Sequence, residues 1–250
     1  MWEITALNVA TLNLTRVASV ARVGHNVDAG GMIQVPDVAW LLRNKETGRV
    51  ILVDSGPCDP EHANKFHSPI EKTPEQELEY QLRINGVEPE DIDTVILTHL
   101  HWDHGYGIYK LPNAKVYVQR RELQYAIAPF AIQKGAYELN DTSKPPYFFE
   151  FFHRIVVVDG DMDFCEGVKL ITLPGHSPGS QGVLVEGSGC RYLMTGDLLY
   201  NMENLNEQVP TGVYTSLDDY YNSFQRIRNL GNDVVLLPGH DQNVFEILKR

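Results

Sequence analysis

The sequence predicts an α/β protein, most simply two packed sheets with helices outside, and three observations predict it. Four short apolar runs each end in a segment rich in His, Asp or Gly. Two stretches carry the start signals of amphipathic helices, and they alternate with the strand-like runs. No short repeat and no Pro/Ser-rich linker interrupts the 250 residues, so a single domain over residues 1–250 is expected.

Taken in order, Val38 to Arg43 and Val50 to Asp54 read as two strands joined by a turn at Thr47-Gly48. Thr73-Pro74-Glu75-Gln76 reads as a helix start, with a Thr cap, Pro in the first turn and Gln three residues on. Leu78, Leu82 and Ile84 mark its apolar face, and Gly86 its end. Thr94 to Thr98 is a strand that runs into His99, and Val116 to Val118 is another, followed by a helix from Arg120 to about Ala128. Ile155 to Val158, Val168 to Leu173, Val183 to Glu186 and Tyr192 to Thr195 are successive strands. Ser216 with Asp219 opens a second helix whose face uses Leu217, Tyr220, Phe224 and Ile227 before Gly231. Val234 to Leu237 is a final buried strand that ends at Pro238-Gly239-His240.

Composition bounds the function. Hydrophobic residues make up 43% and charged residues 22%, as in a soluble globular protein. A formal net charge of −12 argues against a nucleic-acid partner, which needs a Lys/Arg surplus. No run approaches the ~20 apolar residues of a membrane span. The N-terminus lacks a basic leader, and Cys58, Cys165 and Cys190 read as reduced thiols, so a cytoplasmic protein is expected; monomer and homodimer both stay open.

The chemistry concentrates in Thr98-His99-Leu100-His101-Trp102-Asp103-His104, which puts three imidazoles and a carboxylate within six residues. That ligand set suits zinc and neighbouring divalent metals. Pro174-Gly175-His176-Ser177-Pro178-Gly179, Thr195-Gly196-Asp197 and Pro238-Gly239-His240 add to it, each directly after a strand. Strand ends at one edge of a sheet converge, so these segments predict one metal site built on rigid elements. His25, His62, His67 and His153 lack such context and read as surface or core residues.

On these segments the chain resembles the metallo-β-lactamase superfamily, from Val53-Asp54-Ser55-Gly56 to His240. The resemblance implies an αββα sandwich. It also implies a site for two divalent ions, zinc by default, with iron, manganese or cobalt suited to the same donors. His99, His101 and His176 would hold one ion; Asp103, His104 and His240 the other; Asp197 would bridge them. Asp54 is expected to orient a ligand and not to bind metal itself.

Within that superfamily the sequence is most similar to the N-acyl-homoserine lactonases. The similarity lies in Thr172 to Gly179, in Asp197-Leu198-Leu199-Tyr200, and in Glu203-Asn204 followed by Glu207-Gln208-Val209-Pro210. It implies a small-molecule lactone substrate, with Tyr200 beside it and Asp103 moving a proton. A hydrolase of another cyclic ester, cyclic amide or thioester is the alternative. A non-hydrolytic metal oxidoreductase of this fold would carry Glu where His101 stands. The resemblance is weaker over Tyr137 to Phe152, and the aromatic stretch Tyr147 to Phe152 within it reads either as a wall for an acyl chain or as packing.

Overall fold

The structure is a computed structural model that describes residues 1–21, 31–141 and 143–249. His25 lies outside the described residues. Among them, one sheet holds β1 (Trp2–Thr15), β2 (Met32–Asn44), β3 (Val50–Val53), β4 (Ile70–Glu71), β5 (Thr94–Ile96), β6 (Lys115–Gln119) and β7 (Ile155–Val158). Its order is β4-β1-β2-β3-β5-β6-β7. The other holds β8 (Met162–Cys165), β9 (Val168–Thr172), β10 (Gln181–Glu186), β11 (Arg191–Met194) and β12 (Val234–Leu237), in the order β12-β11-β10-β9-β8. The helices are α1 (Arg16–Ser19), α2 (Pro60–Phe66), α3 (Leu78–Ile84), α4 (Trp102–Gly105), α5 (Arg120–Ile127), α6 (Met202–Asn206), α7 (Leu217–Arg228) and α8 (Val244–Ile247). None is long and apolar enough to cross a membrane.

Side-chain alternation explains the layering. In β2, Val38, Trp40 and Leu42 face the second sheet, where they pack with Val168, Leu170, Val183, Met194 and Leu237. Ala39 and Leu41 point the other way, onto Leu78 and Leu82 of α3 and Ala126 of α5. On the far side, Ile171, Leu173, Leu184 and Leu193 pack against Tyr220, Phe224 and Ile227 of α7. Two sheets therefore share a dry interface and each carries helices outside, the αββα sandwich of the sequence reading.

Three local differences have physical causes. The helix begins at Leu78, because Thr73 caps only a 3-10 turn over Pro74–Gln76, and Glu77 then turns extended. Ile84, read as part of its apolar face, is 60% exposed: the helix ends with it and Gly86 turns the chain away at φ +70. β2 begins at Met32 and not at Val38, because it pairs along its whole length with β1, a strand that the sequence reading passed over.

Candidate metal centre

The site sits where strands end. β3 leads to Asp54, β5 to the His99–His104 segment, β9 to His176, β11 to Asp197 and β12 to His240. β3 and β5 run parallel, as do β11 and β12, so their carboxyl ends lie at one edge. Gln181 bolts the two sheets together there: its backbone N–H donates to the Thr98 carbonyl at 2.9 Å and its amide to that of Leu97 at 2.8 Å.

The structure brings all seven expected ligands together in two groups that share one residue. His99, His101, His176 and Asp197 form the first, and Asp103, His104, Asp197 and His240 the second, with candidate ligand atoms within 4.8 Å of one another in each. Asp197 Oδ1 lies 3.0 Å from Nε2 of both His104 and His240, and Oδ2 lies 3.4 Å from His176 Nε2 and 3.8 Å from His99 Nε2. His101 turns Nδ1 toward His176 Nε2 at 2.9 Å.

Four of the five rings are aimed by a contact at the opposite nitrogen. Nδ1 of His104 meets Asp54 Oδ2 at 2.9 Å, Nδ1 of His176 meets the Val213 carbonyl at 2.8 Å, and Nδ1 of His240 meets the Pro36 carbonyl at 3.0 Å. Thr98 Oγ1 stands 3.1 Å from His99 Nδ1. Each leaves Nε2 facing inward, as a metal-binding imidazole requires. Asp54, at φ +57, also accepts from the Thr98 N–H at 2.7 Å and its hydroxyl at 2.8 Å, which ties the end of β3 to the start of the ligand segment.

The donor set fits cations. Among the described residues, eight buried side-chain atoms lack a hydrogen-bond partner, and six belong to His99, His101, His104, His240 and Asp197. Orphans of this kind are rare and call for an explanation; a cation shared by inward-facing nitrogens and a carboxylate supplies one.

Electrostatics agree. Burial, with the neighbouring imidazoles, holds His99 and His101 well below the ordinary histidine range, and burial lowers His176 too, so these three offer free lone pairs. Burial opposes the charging of His104 and His240. Asp197, Asp54 and Asp103 nevertheless hold His104 well above its usual value, and Asp197 brings His240 to about 9. Asp197 itself, against its burial, is held well below the usual carboxylate range by His104, His240 and His176.

A pH test follows. A group raised in the folded state stabilises it fully below the unfolded value, and that stability is lost as pH rises through the folded value. For His240 the window runs from 6.5 to about 9. Chelator-stripped protein is therefore expected to lose thermal stability between pH 7 and 9, while zinc-loaded protein gains, because the ion no longer competes with those protons. Melting curves of both forms at the two pH values check this; a stripped form that gains stability over the window contradicts it.

Several residues that shape the site carry no sequence signal. Glu122, in the first turn of α5, is fully buried and accepts four hydrogen bonds: from Leu100 N–H (2.9 Å), Tyr137 hydroxyl (2.9 Å), Ser177 hydroxyl (2.5 Å) and Gly179 N–H (3.2 Å). It joins the His99–His104 segment to the His176 loop. Gly179 is required there, because a Cβ would stand 2.0 Å from Glu122 N. Asp37, 1% exposed, is pushed up to about 7 by burial and follows the Pro36 carbonyl that orients His240.

In the aromatic stretch, Tyr147, Phe148 and Phe151 are buried, and the Tyr147 hydroxyl donates to the carbonyls of Leu100 (3.0 Å) and His101 (3.2 Å). These three rings pack in the core, while Phe149 and Phe152 remain exposed. Tyr200 is buried edge-on to His240, ring centroids 4.7 Å apart. Burial and then Asp197 hold its phenol well above its ordinary value, so it stays protonated.

Comparison with known proteins places this geometry in a family. A sequence model of the metallo-β-lactamase superfamily matches residues 34–240. The N-acyl homoserine lactonase AttM of Azorhizobium caulinodans is 34% identical over 176 residues, 68% of this chain and 66% of that protein, just under two thirds of its length. An N-acyl homoserine lactonase of Bacillus cereus is 29% identical over 234 residues, 88% of this chain and 86% of the relative. Among solved structures, a mutant of B. thuringiensis AiiA with N-decanoyl-L-homoserine bound at its active site aligns with TM-score 0.79 at 25% identity, covering 98% of this chain and 95% of that one. With the family's sequence pattern, its two-sheet sandwich and the His/Asp cluster at one sheet edge all present, the chain belongs to the metallo-β-lactamase superfamily.

Proposed function

We propose that the protein is a metal-dependent hydrolase that opens the ring of N-acyl homoserine lactones, the activity named for the AttM and Bacillus cereus relatives. One observation carries the reading: two ligand groups share Asp197 and enclose a concentration of buried, partnerless donor atoms. His99, His101 and His176 would hold one divalent ion, Asp103, His104 and His240 the other, with Asp197 between them; zinc is the expected metal. Such ions supply Lewis acidity, lowering the pKa of water toward neutrality and polarising a carbonyl.

The chain's own residues account for the rest. Water adds to the lactone carbonyl carbon, the ring C–O bond breaks, and the leaving oxygen takes up a proton. Tyr200 keeps its phenol proton and donates it as a hydrogen bond to the oxyanion that develops on the carbonyl oxygen. Asp103 is the one ligand candidate with appreciable side-chain exposure, 12%, and it carries the proton to the leaving oxygen. Asp54 and Glu122 hold the ligand segments in register through the contacts above.

A substrate panel tests the reading. Metal-replete protein is expected to open N-acyl homoserine lactones faster than it hydrolyses a β-lactam, a simple cyclic amide or a glutathione thioester. Any of those turned over faster than every lactone would assign the site to another substrate class.

A further inference from the structure

A second constellation of ligating side chains stands apart from the Asp197 cluster. Cys58, His62 and His67 place their sulfur and ring nitrogens within 4.8 Å of one another. Helix α2 does the placing: Asp59 caps it by accepting from the His62 N–H at 2.9 Å, Cys58 precedes the cap, and His67 follows the last turn. A fourth group arrives from far along the chain. Glu138 Oε1 lies 2.8 Å from His67 Nε2 and also contacts His62 Nε2. Side-chain exposures are 4% for His67, 5% for Glu138 and 17% for His62, and Cys58 is 1% exposed overall.

We propose that Cys58, His62, His67 and Glu138 form a separate structural zinc site. Two imidazole nitrogens aimed at one carboxylate oxygen, with a thiol beside them, make a four-donor set from the protein alone, the closed arrangement of structural zinc. Thiolate and imidazole together favour zinc over magnesium, calcium or manganese. The charges also close: one thiolate, one carboxylate and two neutral imidazoles balance a divalent ion, and binding releases the Cys58 proton to solvent.

One further feature supports it. Glu138 adopts a left-handed conformation, φ 56° and ψ 36°, which a non-glycine residue takes at a cost; that backbone delivers its carboxylate to the histidines. Burial, with Glu138 and Asp59 nearby, pushes the Cys58 thiol up, so it is not a reactive nucleophile.

The position gives the site a purpose. His67 stacks on Trp102, centroids 4.3 Å apart and planes 7° from parallel. Trp102 stands between His101 and Asp103, so an ion here would fasten α2 and the 131–138 turn against the back of the ligand segment.

Cobalt loading tests this without relying on activity. Neither Asp197 group contains a cysteine. A thiolate-to-cobalt charge-transfer band in the near ultraviolet therefore cannot come from the Asp197 groups, and its loss in Cys58→Ser assigns it to Cys58 and not to the free Cys165 or Cys190. Metal-depleted wild-type protein reloaded with Co²⁺ is expected to show the band, which disappears in Cys58→Ser and persists in Asp103→Asn. Zinc content of Cys58→Ser should fall by one per chain. Should that variant fail to fold, the wild-type spectrum decides: no band in cobalt-saturated wild-type protein overturns the proposal, as does a band that survives Cys58→Ser.

Discussion

Asp103→Asn and His176→Ala are each expected to abolish the proposed lactone opening, with losses beyond the ~10–100-fold typical of changing a residue that merely orients a ligand. Each removes one donor from a seven-residue set in which six other buried ligand atoms, on His99, His101, His104, His240 and Asp197, have no hydrogen-bond partner. His176 is fully buried and fixed by the Val213 carbonyl, so alanine there leaves a hole as well as a missing nitrogen. Weaker metal binding also costs stability: an ion present at 100 times its dissociation constant contributes ~2.7 kcal/mol. In a domain of this size that corresponds to a fall of roughly 5–10 °C in melting temperature. Asp54→Asn is milder, because it disturbs His104 and Thr98 without removing a ligand. Kinetics, metal analysis and melting curves on the three variants check this order. Near-normal turnover in Asp103→Asn would require the ligand assignment to be redrawn.

Tyr200→Phe is expected to lower kcat while leaving metal content and melting temperature almost unchanged. The phenol proton is retained at neutral pH, and the ring that packs against His240 survives the substitution. Removing one donor aimed at an oxyanion typically costs ~10²–10³ in rate. Ions that share the oxyanion reduce the loss to roughly tenfold. Because that charge is present mainly in the transition state, KM should move little. A metal-replete Tyr200→Phe protein with unchanged kcat removes the phenol from the mechanism.

Much of this architecture was legible because its signals are local. A strand-length apolar run followed at once by His or Asp announces both an element and a polar group at its end, and β5, β9, β11 and β12 all follow that pattern. The helix from Ser216 likewise carries its cap and its apolar face in one stretch. Residues whose meaning depends on distant partners could not be read so. Glu122 looks like an ordinary charge in a first helical turn, yet its partners Ser177 and Gly179 lie 55 and 57 residues away. His62 and His67 stand 76 and 71 residues from Glu138, and only the packing of α2 brings them together. β1 escaped because its alternation of buried and exposed residues breaks at a bulge between Asn8 and Ala10, which shifts the pairing with β2.

Diffraction from zinc-loaded crystals, recorded at the zinc absorption edge, tests the metal-centre account most directly. Two anomalous peaks are predicted at this sheet edge: one enclosed by His99, His101, His176 and Asp197, the other by Asp103, His104, His240 and the same Asp197. A single peak there, or none, in protein that still opens lactones would contradict it.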